Sequence, residues 1–460
     1  MKHLMAVILA AGEGKRMKSK NSKVIHKIGG KALVEWVTSS VEAAGIEESI
    51  LVVGHKAEQV KEYMGDKYKY VLQEEQLGTG HAVMQAEKYM AGKEGYVVVL
   101  CGDTPLITTE TIANTIKFHK ENNFSATVIT AELDNPGGYG RIVRDACGNV
   151  LKIVEHRDAT DEEKAIKEVN SGMYCFTIQD LTCALKELNN NNSQGEYYLT
   201  DTIEILINKG LKVGAKKVAD SDEILGINDR VQLAEAAQII KKRIAERHMR
   251  SGVTIIDPTS TYIDDTVEIG MDTIIYPGTI LEGKTEIGEG CIIGPGTKLV
   301  SSKIGDGVEI INSVVLESSI DKDTHVGPFA YVRPGSTIGS EVKIGDFVEV
   351  KKSKIGDKTK ISHLTYIGDA EIGKNVNLGC GVVVVNYDGK KKNKTIVGDN
   401  SFIGCNVNLV SPVVVRDNAY IAAGSTITDE VPENSLAIAR CRQINKEDWV
   451  TKKKMKREEK

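Results

Sequence analysis

The fold is decided by the stretch VRPGSTIGSEVKIGDFVEV, residues 332–350, in which an aliphatic residue recurs at every sixth position. The same interval returns, with a few slips, from Ile263 to Ile427. A period of six fits neither an α-helix, with 3.6 residues per turn, nor a strand that alternates every 2 residues. It predicts a parallel β-helix, in which three hexapeptides form one triangular coil and the aliphatic side chains stack inside. We call this coiled region the prism.

Slips in the period mark places where loops should leave the prism. Short or irregular intervals occur at Leu299–Ile304, Leu316–Val326, Val350–Ile355 and Ile367–Ile372. The largest slip, from Val384 to Val397, must extrude residues 386–394 as a loop. Because each coil packs only on its neighbours, such a prism could also be no more than an oligomerisation scaffold.

The composition indicates two or three domains with sizeable hydrophobic cores, since 41% of the 460 residues are hydrophobic. A net charge of −5 argues against general nucleic-acid binding. The eight cysteines include no CxxC pair, which predicts reduced thiols in a cytoplasmic protein. The apolar run at residues 4–11 lacks the spacer and cleavage site of a signal peptide and predicts a buried first strand. No later run is long enough to span a membrane.

Residues 1–228 alternate apolar strands with helical stretches. The predicted strands are 5–9, 49–53 and 96–100, and the predicted helices are 34–44, 57–64 and 80–90. This alternation predicts a mostly parallel sheet covered by helices on both faces, with ligands beyond the carboxyl ends of the strands.

A further helix is predicted at residues 231–248, between the sheet and the prism, with Asp229 as its cap and Gln232 three residues on. After the last coil, we expect residues 438–449 to cover the end of the prism. The charged residues 452–460 should form a loose tail.

The first strand leads into LAAGEGKRM at residues 9–17, which is neither the Rossmann nor the P-loop pattern. Glycines after a strand let backbone N–H groups approach phosphate oxygens, and Arg16 and Lys23 would add cationic donors. Taken alone, the motif is equally well explained as a tight strand-to-helix turn.

The motif becomes specific in combination with others. It resembles the sugar-nucleotide pyrophosphorylase signature L-A-A-G-x-G-T-R-M, although Lys15 replaces the family's Thr and Ser22 stands where the family often has Pro. The accompanying motifs are QEEQLGTGH at 73–81, CGDTPL at 101–106, GYGRI at 138–142, VEHRD at 154–158, EVNSG at 168–172 and GIND at 226–229. With the prism attached, nearly the whole chain resembles the bacterial bifunctional N-acetylglucosamine-1-phosphate uridyltransferases/glucosamine-1-phosphate N-acetyltransferases.

The resemblance implies an α/β nucleotidyltransferase domain with a Rossmann-like, mostly parallel sheet, followed by a left-handed parallel β-helix of hexapeptide repeats. The implied boundaries are a uridyltransferase domain at 1–229, a linker helix at 230–251, an acetyltransferase β-helix at 252–437, and a C-terminal cap and tail at 438–460. The implied reactions join acetyl-CoA to glucosamine 1-phosphate and then UTP to N-acetylglucosamine 1-phosphate.

The uridyltransferase site is assigned from the same resemblance. Its implied members are Leu9, Ala10, Ala11, Gly12, Arg16, Lys23, Gln73, Gly78, Thr79, Asp103, Gly140, Glu155, Asn170 and Asn228. Asp103 and Asn228 would hold a Mg²⁺ ion, which prefers hard oxygen ligands. By position alone, Asp103 could equally be a turn residue and Asn228 a helix cap. Gln73 would read the uracil edge, while Glu155 could instead be a solvated surface charge.

The acetyltransferase site is centred on His363 in ISHLTY, residues 361–366. A lone surface histidine is more often inert, but the resemblance makes this one the general base, and an unperturbed imidazole pKa near 6.5 suits that task. The resemblance assigns Arg333, Glu349, Lys351, Tyr366 and Asn377 to the amino-sugar phosphate, and Cys380, Asn386, Tyr387, Cys405, Ala423 and Arg440 to acetyl-CoA. An acyl-cysteine is rejected because the family commonly has Ala and Ser at positions 380 and 405.

The resemblance also implies a homotrimer with the acetyl site between neighbouring chains, reached by the loop at 386–394 and the tail. The loop lysines at 390–392 and 394 either attract coenzyme phosphates or are simply solvated. Three alternatives stay open: a nucleotidyltransferase whose prism only assembles the oligomer, a non-catalytic scaffold, and a γ-class carbonic anhydrase. The last is disfavoured because the prism offers only His325 and His363 for zinc.

Overall fold

The computed structural model describes residues 3–458. The chain divides into two compact units, Met1–Arg243 and Ile244–Lys460. The first contains the α/β sheet and the second contains the prism. No helix among the described residues is both long enough and apolar enough to cross a membrane.

A nine-stranded sheet forms the centre of the first unit. Across the sheet, the strands of its main path are Val213–Lys217, Ala126–Glu132, Glu168–Thr177, Gly95–Cys101, His3–Ala10, Glu48–Val53 and Lys69–Leu72. Only Glu168–Thr177 is antiparallel to its neighbours on this path. The short strands Arg141–Arg144 and Val150–Val154 extend the sheet in antiparallel fashion. The mostly parallel sheet is therefore confirmed.

Alternate residues of the first strand pack into two separate cores. Met5 and Val7 belong to one hydrophobic cluster, while Ala6 and Ile8 belong to the other. Because successive side chains of a strand point to opposite faces, the sheet must be covered on both sides. The covering helices are Leu33–Ala43, Ala57–Met64, Thr79–Met84, Glu87–Met90, Thr109–Asn122, Asp161–Lys164, Ile178–Leu185 and Asp201–Asn208, with 3₁₀ turns at Lys15–Met17, Lys23–Ile25 and Ser221–Ile224.

One predicted helix was wrong in extent, since residues 80–90 form two short helices. The backbone N–H groups of Gln85 and Ala86 donate to the carbonyls three residues earlier, at 3.3 and 2.9 Å. This tighter bonding ends the first helix. The amide of Gln85 also donates to the carbonyl of His81, at 3.1 Å.

The helix Arg230–Arg250 follows the sheet domain and spans the division between the two units. Asp229 caps it as predicted, because its Oδ1 accepts from the N–H groups of Val231 and Gln232, each at 2.9 Å. The side chain of Gln232 accepts from the N–H of Asn228, at 2.8 Å.

The prism is a left-handed parallel β-helix with three flat faces, each a parallel sheet. The eleven-stranded face comprises Thr254–Ile255, Ile274–Ile275, Ile292–Ile293, Glu309–Ile310, His325–Val326, Lys343–Asp346, Lys360–His363, Asn377–Leu378, Phe402–Ile403, Tyr420–Ile421 and Leu436–Ala437. The ten-stranded face comprises Tyr262–Ile263, Ile280–Glu282, Lys298–Val300, Val314–Leu316, Tyr331–Val332, Glu349–Lys351, Tyr366–Gly368, Val383–Val385, Asn408–Val410 and Thr426–Ile427. The nine-stranded face comprises Glu268–Ile269, Glu286–Ile287, Lys303–Ile304, Ser319–Ile320, Thr337–Ile338, Lys354–Ile355, Ala370–Ile372, Thr395–Val397 and Val413–Val415.

The aliphatic residues of the repeat stack inside the prism, as the period predicts. Ile275, Ile293, Ile344 and Ile361 are fully buried, and each faces the residue one coil away in parallel register. The loop at 386–394 leaves the prism between Val383–Val385 and Thr395–Val397, also as predicted.

One slip was misplaced and one terminal segment was misjudged. The prediction placed Leu316 inside the prism, but Val315 is the fully buried residue and Leu316 is only partly buried. The inward positions are therefore Ile310, Val315 and Ile320, at intervals of five residues. Beyond the last strand, Ile438 and Ile444 are 58% and 83% exposed, so residues 438–449 do not bury the end of the prism. The charged tail is not loose throughout, because Trp449–Glu458 is helical.

Adjacent isoleucines on one strand test the inward stacking. Ile293 is fully buried, whereas Ile292 is 36% exposed. We expect Ile293→Ala to lower the free energy of unfolding by about 2–5 kcal/mol, because it leaves a cavity between stacked coils. The matched Ile292→Ala should cost less than about 1 kcal/mol. Equilibrium unfolding in urea measures both, and equal losses would contradict this assignment of inward and outward positions.

Candidate active sites

A cavity of about 260 Å³ lies in the first unit, beyond the carboxyl ends of its central strands. Its lining includes residues predicted for the nucleotide site, namely Leu9, Ala10, Ala11, Gly12, Lys23, Gln73, Gly78, Thr79 and Asp103. Sequence reasoning missed Val24, Gln76, Ala82, Cys101 and Glu196, which complete the lining. Two of them lie in the motifs quoted above, Gln76 in QEEQLGTGH and Cys101 at the start of CGDTPL, and these motifs are the signals that could have found them.

Backbone hydrogen bonds bring the two proposed metal ligands together. The N–H of Gly102 donates to the carbonyl of Leu9 at 2.8 Å. Asp103 therefore lies beside the glycine-containing loop, residues 9–17. The N–H of Ile227 donates to the carbonyl of Asp103 at 2.9 Å, which places Asn228 on the other side. Two segments far apart in sequence therefore meet at the end of one strand.

The ammonium group of Lys23 lies between the side-chain oxygens of Asp103 and Asn228. It forms a short ion pair with Asp103 and a 3.3 Å hydrogen bond with Asn228 Oδ1. Because Asp229 caps the following helix, Asn228 is not needed as the cap. A carboxylate and an amide oxygen that converge on one cation form a donor set suited to Mg²⁺.

The segment predicted to read uracil, residues 73–79, packs against the loop that contains Tyr197 and Leu199. Gln73 is buried, and its amide donates to the carbonyl of Gly78 at 3.1 Å. Gly78 has φ +106°, and a Cβ there would lie 2.6 Å from the carbonyl oxygen of Tyr197, so only glycine fits. The hydroxyl of Thr79 accepts from the N–H of Leu199 at 3.1 Å.

The predicted sugar contacts do not line this cavity, but two of them are neighbours. The N–H of Asn170 donates to the carbonyl of Gly140 at 2.9 Å. Glu155 is half-buried and accepts from the hydroxyl of Thr200 at 3.3 Å. Burial raises the pKa of Glu155, with a smaller contribution from nearby carboxylates such as Asp201. Glu155 is therefore not a fully solvated surface charge, the alternative that the sequence left open.

The glycine-containing loop leaves its two cationic residues on the outside. Arg16 is exposed and does not line the cavity. Lys15, the departure from the family pattern, is also exposed and pairs with Glu13 at 2.9 Å. In this conformation the cavity has Lys23 as its lining cation.

In the second unit, one corner of the prism carries His363 in a stack of residues from successive coils. Backbone hydrogen bonds define the stack: Leu364 N–H to Asp346 O at 3.0 Å, Gly381 N–H to His363 O at 3.3 Å, Asn406 N–H to Cys380 O at 2.8 Å, and Gly424 N–H to Cys405 O at 2.8 Å. Asp346, His363, Cys380, Cys405 and Ala423 therefore stand over one another, and we call them the His363 column. Three predicted coenzyme contacts thus follow the proposed base, one coil after another.

The imidazole of His363 is bound from the coil below. Its Nδ1 lies 2.6 Å from Asp346 Oδ1, and the hydrogen bond with this imidazole lowers the pKa of the Asp346 carboxyl. The two side chains are 57% and 37% exposed. Sequence reasoning did not single out Asp346.

On the neighbouring face, the predicted sugar-phosphate residues are held by ion pairs. Arg333 Nη1 lies 2.8 Å from Glu349 Oε1, and Lys351 Nζ lies 3.1 Å from Asp369 Oδ2. The amide of Asn386 also donates to Asp369, at 2.6 Å. Asp369 is therefore a second carboxylate of this site that sequence reasoning missed.

The remaining predicted contacts are spread over several coils. Tyr366 is in register with Glu349 one coil below, and its hydroxyl lies 3.4 Å from the amide nitrogen of Asn386. Asn377 is in register with Lys360, the first residue of the strand that ends at His363. Tyr387 is 53% exposed in the loop at 386–394, with the Lys392 ammonium 4.4 Å from its ring centroid. The Arg440 side chain reaches the corner at Gly424, beside Ala423.

Histidines do not form a zinc site within the described residues. No cluster of three or more His, Cys, Asp or Glu side chains suited to a metal is present there. His325 instead bonds Glu309 at 2.8 Å, and His363 bonds Asp346.

Three family matches cover most of the chain. Residues 5–222 match the family described as "Nucleotidyl transferase". Residues 266–300 match "Bacterial transferase hexapeptide (six repeats)", and residues 316–437 match "GMPPB C-terminal domain". The first match lies in the α/β unit and the other two lie in the prism.

Curated relatives match over their full length. The "Bifunctional protein GlmU" of Acetivibrio thermocellus is 75% identical over 460 residues, which is 100% of both chains. The protein of the same name from Clostridium novyi is 59% identical over 453 residues, covering 98% of this chain and 99% of the relative. The chain belongs to the family of bifunctional GlmU proteins.

Proposed function

We propose that the two activities of this chain are divided between its two compact units. The chain transfers an acetyl group from acetyl-CoA to glucosamine 1-phosphate, and then a uridylyl group from UTP to N-acetylglucosamine 1-phosphate, with release of pyrophosphate. Uridylyl transfer is assigned to the cavity beyond the central strands, and acetyl transfer to the His363 column. Free thiols at all eight cysteines agree with a cytoplasmic location.

In the uridylyl step, an oxygen of the sugar 1-phosphate attacks the α-phosphorus of UTP. Catalysis of this kind is mostly alignment and stabilisation of negative charge. The backbone of residues 9–12 would approach the phosphates, while Lys23 would supply a positive charge to them. Gln73, held by Gly78, would offer both a donor and an acceptor to the uracil edge.

We assign a Mg²⁺ ion to Asp103 and Asn228, whose oxygens already converge on the ammonium of Lys23. When bound, it would neutralise negative charge on the phosphates. The lysine and the ion would then share the work of charge neutralisation around the same phosphates. This convergence of two oxygens on one cation carries the assignment of the uridylyl site.

In the acetyl step, the sugar amine attacks the thioester carbonyl. His363 would take the proton that the nitrogen loses, and Arg333 and Lys351 would hold the sugar phosphate. Their ion pairs with Glu349 and Asp369 keep both cations in place. The observation that carries this assignment is the His363 column, in which Cys380, Cys405 and Ala423 continue the corner above the imidazole. Small side chains there leave room for the coenzyme along the corner.

We also propose a homotrimer formed through the prism. An exposed apolar stripe supports it: Phe329, Phe347 and Leu364 are each 57% exposed, and the first two rings stack with centroids 5.5 Å apart. Exposed apolar side chains in a row indicate a surface that another chain covers. Leu364 adjoins His363, so a neighbouring chain on this stripe would border the acetyl site.

Substitution of His363 separates the two activities. His363→Ala should reduce acetyl transfer by about 10²- to 10⁴-fold, the usual contribution of a general base, and leave uridylyl transfer unchanged. Thiol release from acetyl-CoA and pyrophosphate release from UTP measure the two reactions. His325→Ala is the matched control, because His325 also bonds a carboxylate on the prism. Acetyl transfer that survives His363→Ala would refute the assigned base.

Substitution of Asp103 should have the opposite effect. Asp103→Ala removes a proposed metal ligand, so uridylyl transfer should fall at least about a hundredfold and need more Mg²⁺, while acetyl transfer persists. Asp134→Ala is the matched control, since Asp134 also pairs with a lysine but is fully exposed. A Mg²⁺ titration of pyrophosphate release measures the effect, and an unchanged titration for Asp103→Ala would exclude its role as a ligand.

A further inference from the structure

The carboxylate of Asp346 binds the imidazole of His363, with Oδ1 and Nδ1 2.6 Å apart. The two residues are in parallel register on consecutive coils, 17 positions apart. Coils of a β-helix are about 4.8 Å apart, so a short carboxylate reaches the ring above it without bending the backbone.

A carboxylate beneath a histidine is not by itself unusual on this prism. His325 and Glu309 form a similar pair at 2.8 Å, also in register on neighbouring coils. The Asp346–His363 pair differs in its surroundings, because it lies in the His363 column, with Cys380, Cys405 and Ala423 on the coils above. The second pair provides a matched control for the effect of simple stacking.

The hydrogen bond leaves one ring nitrogen available. Asp346 accepts from Nδ1–H, so the neutral imidazole carries its proton on Nδ1 and presents a bare Nε2. Among the side chains that the structure describes, none forms a hydrogen bond with this Nε2.

We propose that Asp346 is the positioning residue of acetyl transfer, holding His363 in the tautomer and orientation that leave Nε2 free to act as the base. This rests on the proposed role of His363. The amine nitrogen forms a bond to the thioester carbon, the carbon–sulfur bond breaks, and the nitrogen loses one proton to Nε2. The imidazolium then returns that proton to the coenzyme thiolate. Asp346 stays ionised throughout and stabilises the imidazolium between these two transfers.

The charges around the ring are consistent with this role. From the coil below, the ring is faced by Asp346, and Lys343 lies on the same strand as that carboxylate. Lys360 shares the strand of His363, and the coil above contributes Cys380. The hydrogen bond with His363 holds the pKa of Asp346 below its usual value, so the carboxylate is ionised near neutral pH.

The test compares Asp346→Asn with Glu309→Gln in the full-length enzyme. Asparagine keeps the shape but removes the charge. We expect Asp346→Asn to lower the kcat/KM of acetyl transfer by about tenfold, less than a buried triad would show because the pair is partly exposed. Asp346→Glu should restore part of the rate, because it returns a negative charge to the ring.

Glu309→Gln should leave the rate of acetyl transfer unchanged. A rate loss for Asp346→Asn that Asp346→Glu does not reverse in part would overturn the proposal, because a purely structural role would have that result. An unchanged rate would overturn it as well.

The His363→Ala variant distinguishes this proposal from the function on which it rests. If His363→Ala keeps acetyl transfer, the assigned base is wrong. If His363→Ala abolishes the reaction while Asp346→Asn behaves as the unmodified enzyme does, only the role of Asp346 is wrong. Pyrophosphate release from UTP, measured on every variant, should stay constant and reports whether the protein is intact.

Discussion

The prism depends on one constraint: each of its short strands can form backbone hydrogen bonds only with the coils directly above and below. These bonds set the parallel register, and the register places chosen side chains over one another at about 4.8 Å. The stacked isoleucines inside and the His363 column at the corner are two results of the same constraint. The proposed acetyl-transfer site is thus built from side chains that the repeat places on successive coils.

In the first unit, the candidate site around Asp103 is assembled differently. Its parallel strands end at one edge of the sheet, and backbone bonds from Gly102 and Ile227 fasten Asp103 between the glycine-containing loop and the segment that precedes a long helix. Lys23 then approaches Asp103 and Asn228 from a third segment. Here the site is assembled from distant parts of the sequence, so its precision depends on the packing of the whole sheet.

Sequence patterns were sufficient for the main elements because each pattern has a direct physical cause. The six-residue period corresponds to one side of a triangular coil, and the cap at Asp229 follows from the hydrogen-bonding need of a helix start. Val315 and Leu316 could not be separated by pattern, because three aliphatic residues in a row satisfy the period in more than one frame. Asp346 and Asp369 were missed for a related reason. Their partners depend on which residues align across coils, and the coils differ in length by one or two residues wherever a corner is shortened.

The parallel register of the prism also affects how the molecule could change in length. Ile293 stands directly over Ile275, one coil away. Gly294 therefore occupies the same place after Ile293 that Tyr276 occupies after Ile275. Removal of the 18 residues from Tyr276 to Ile293 would therefore excise one whole coil and rejoin the chain in the same frame. Variants that gain or lose such a unit would have a prism that is longer or shorter by one coil. The length of the prism could therefore be engineered in steps of one coil.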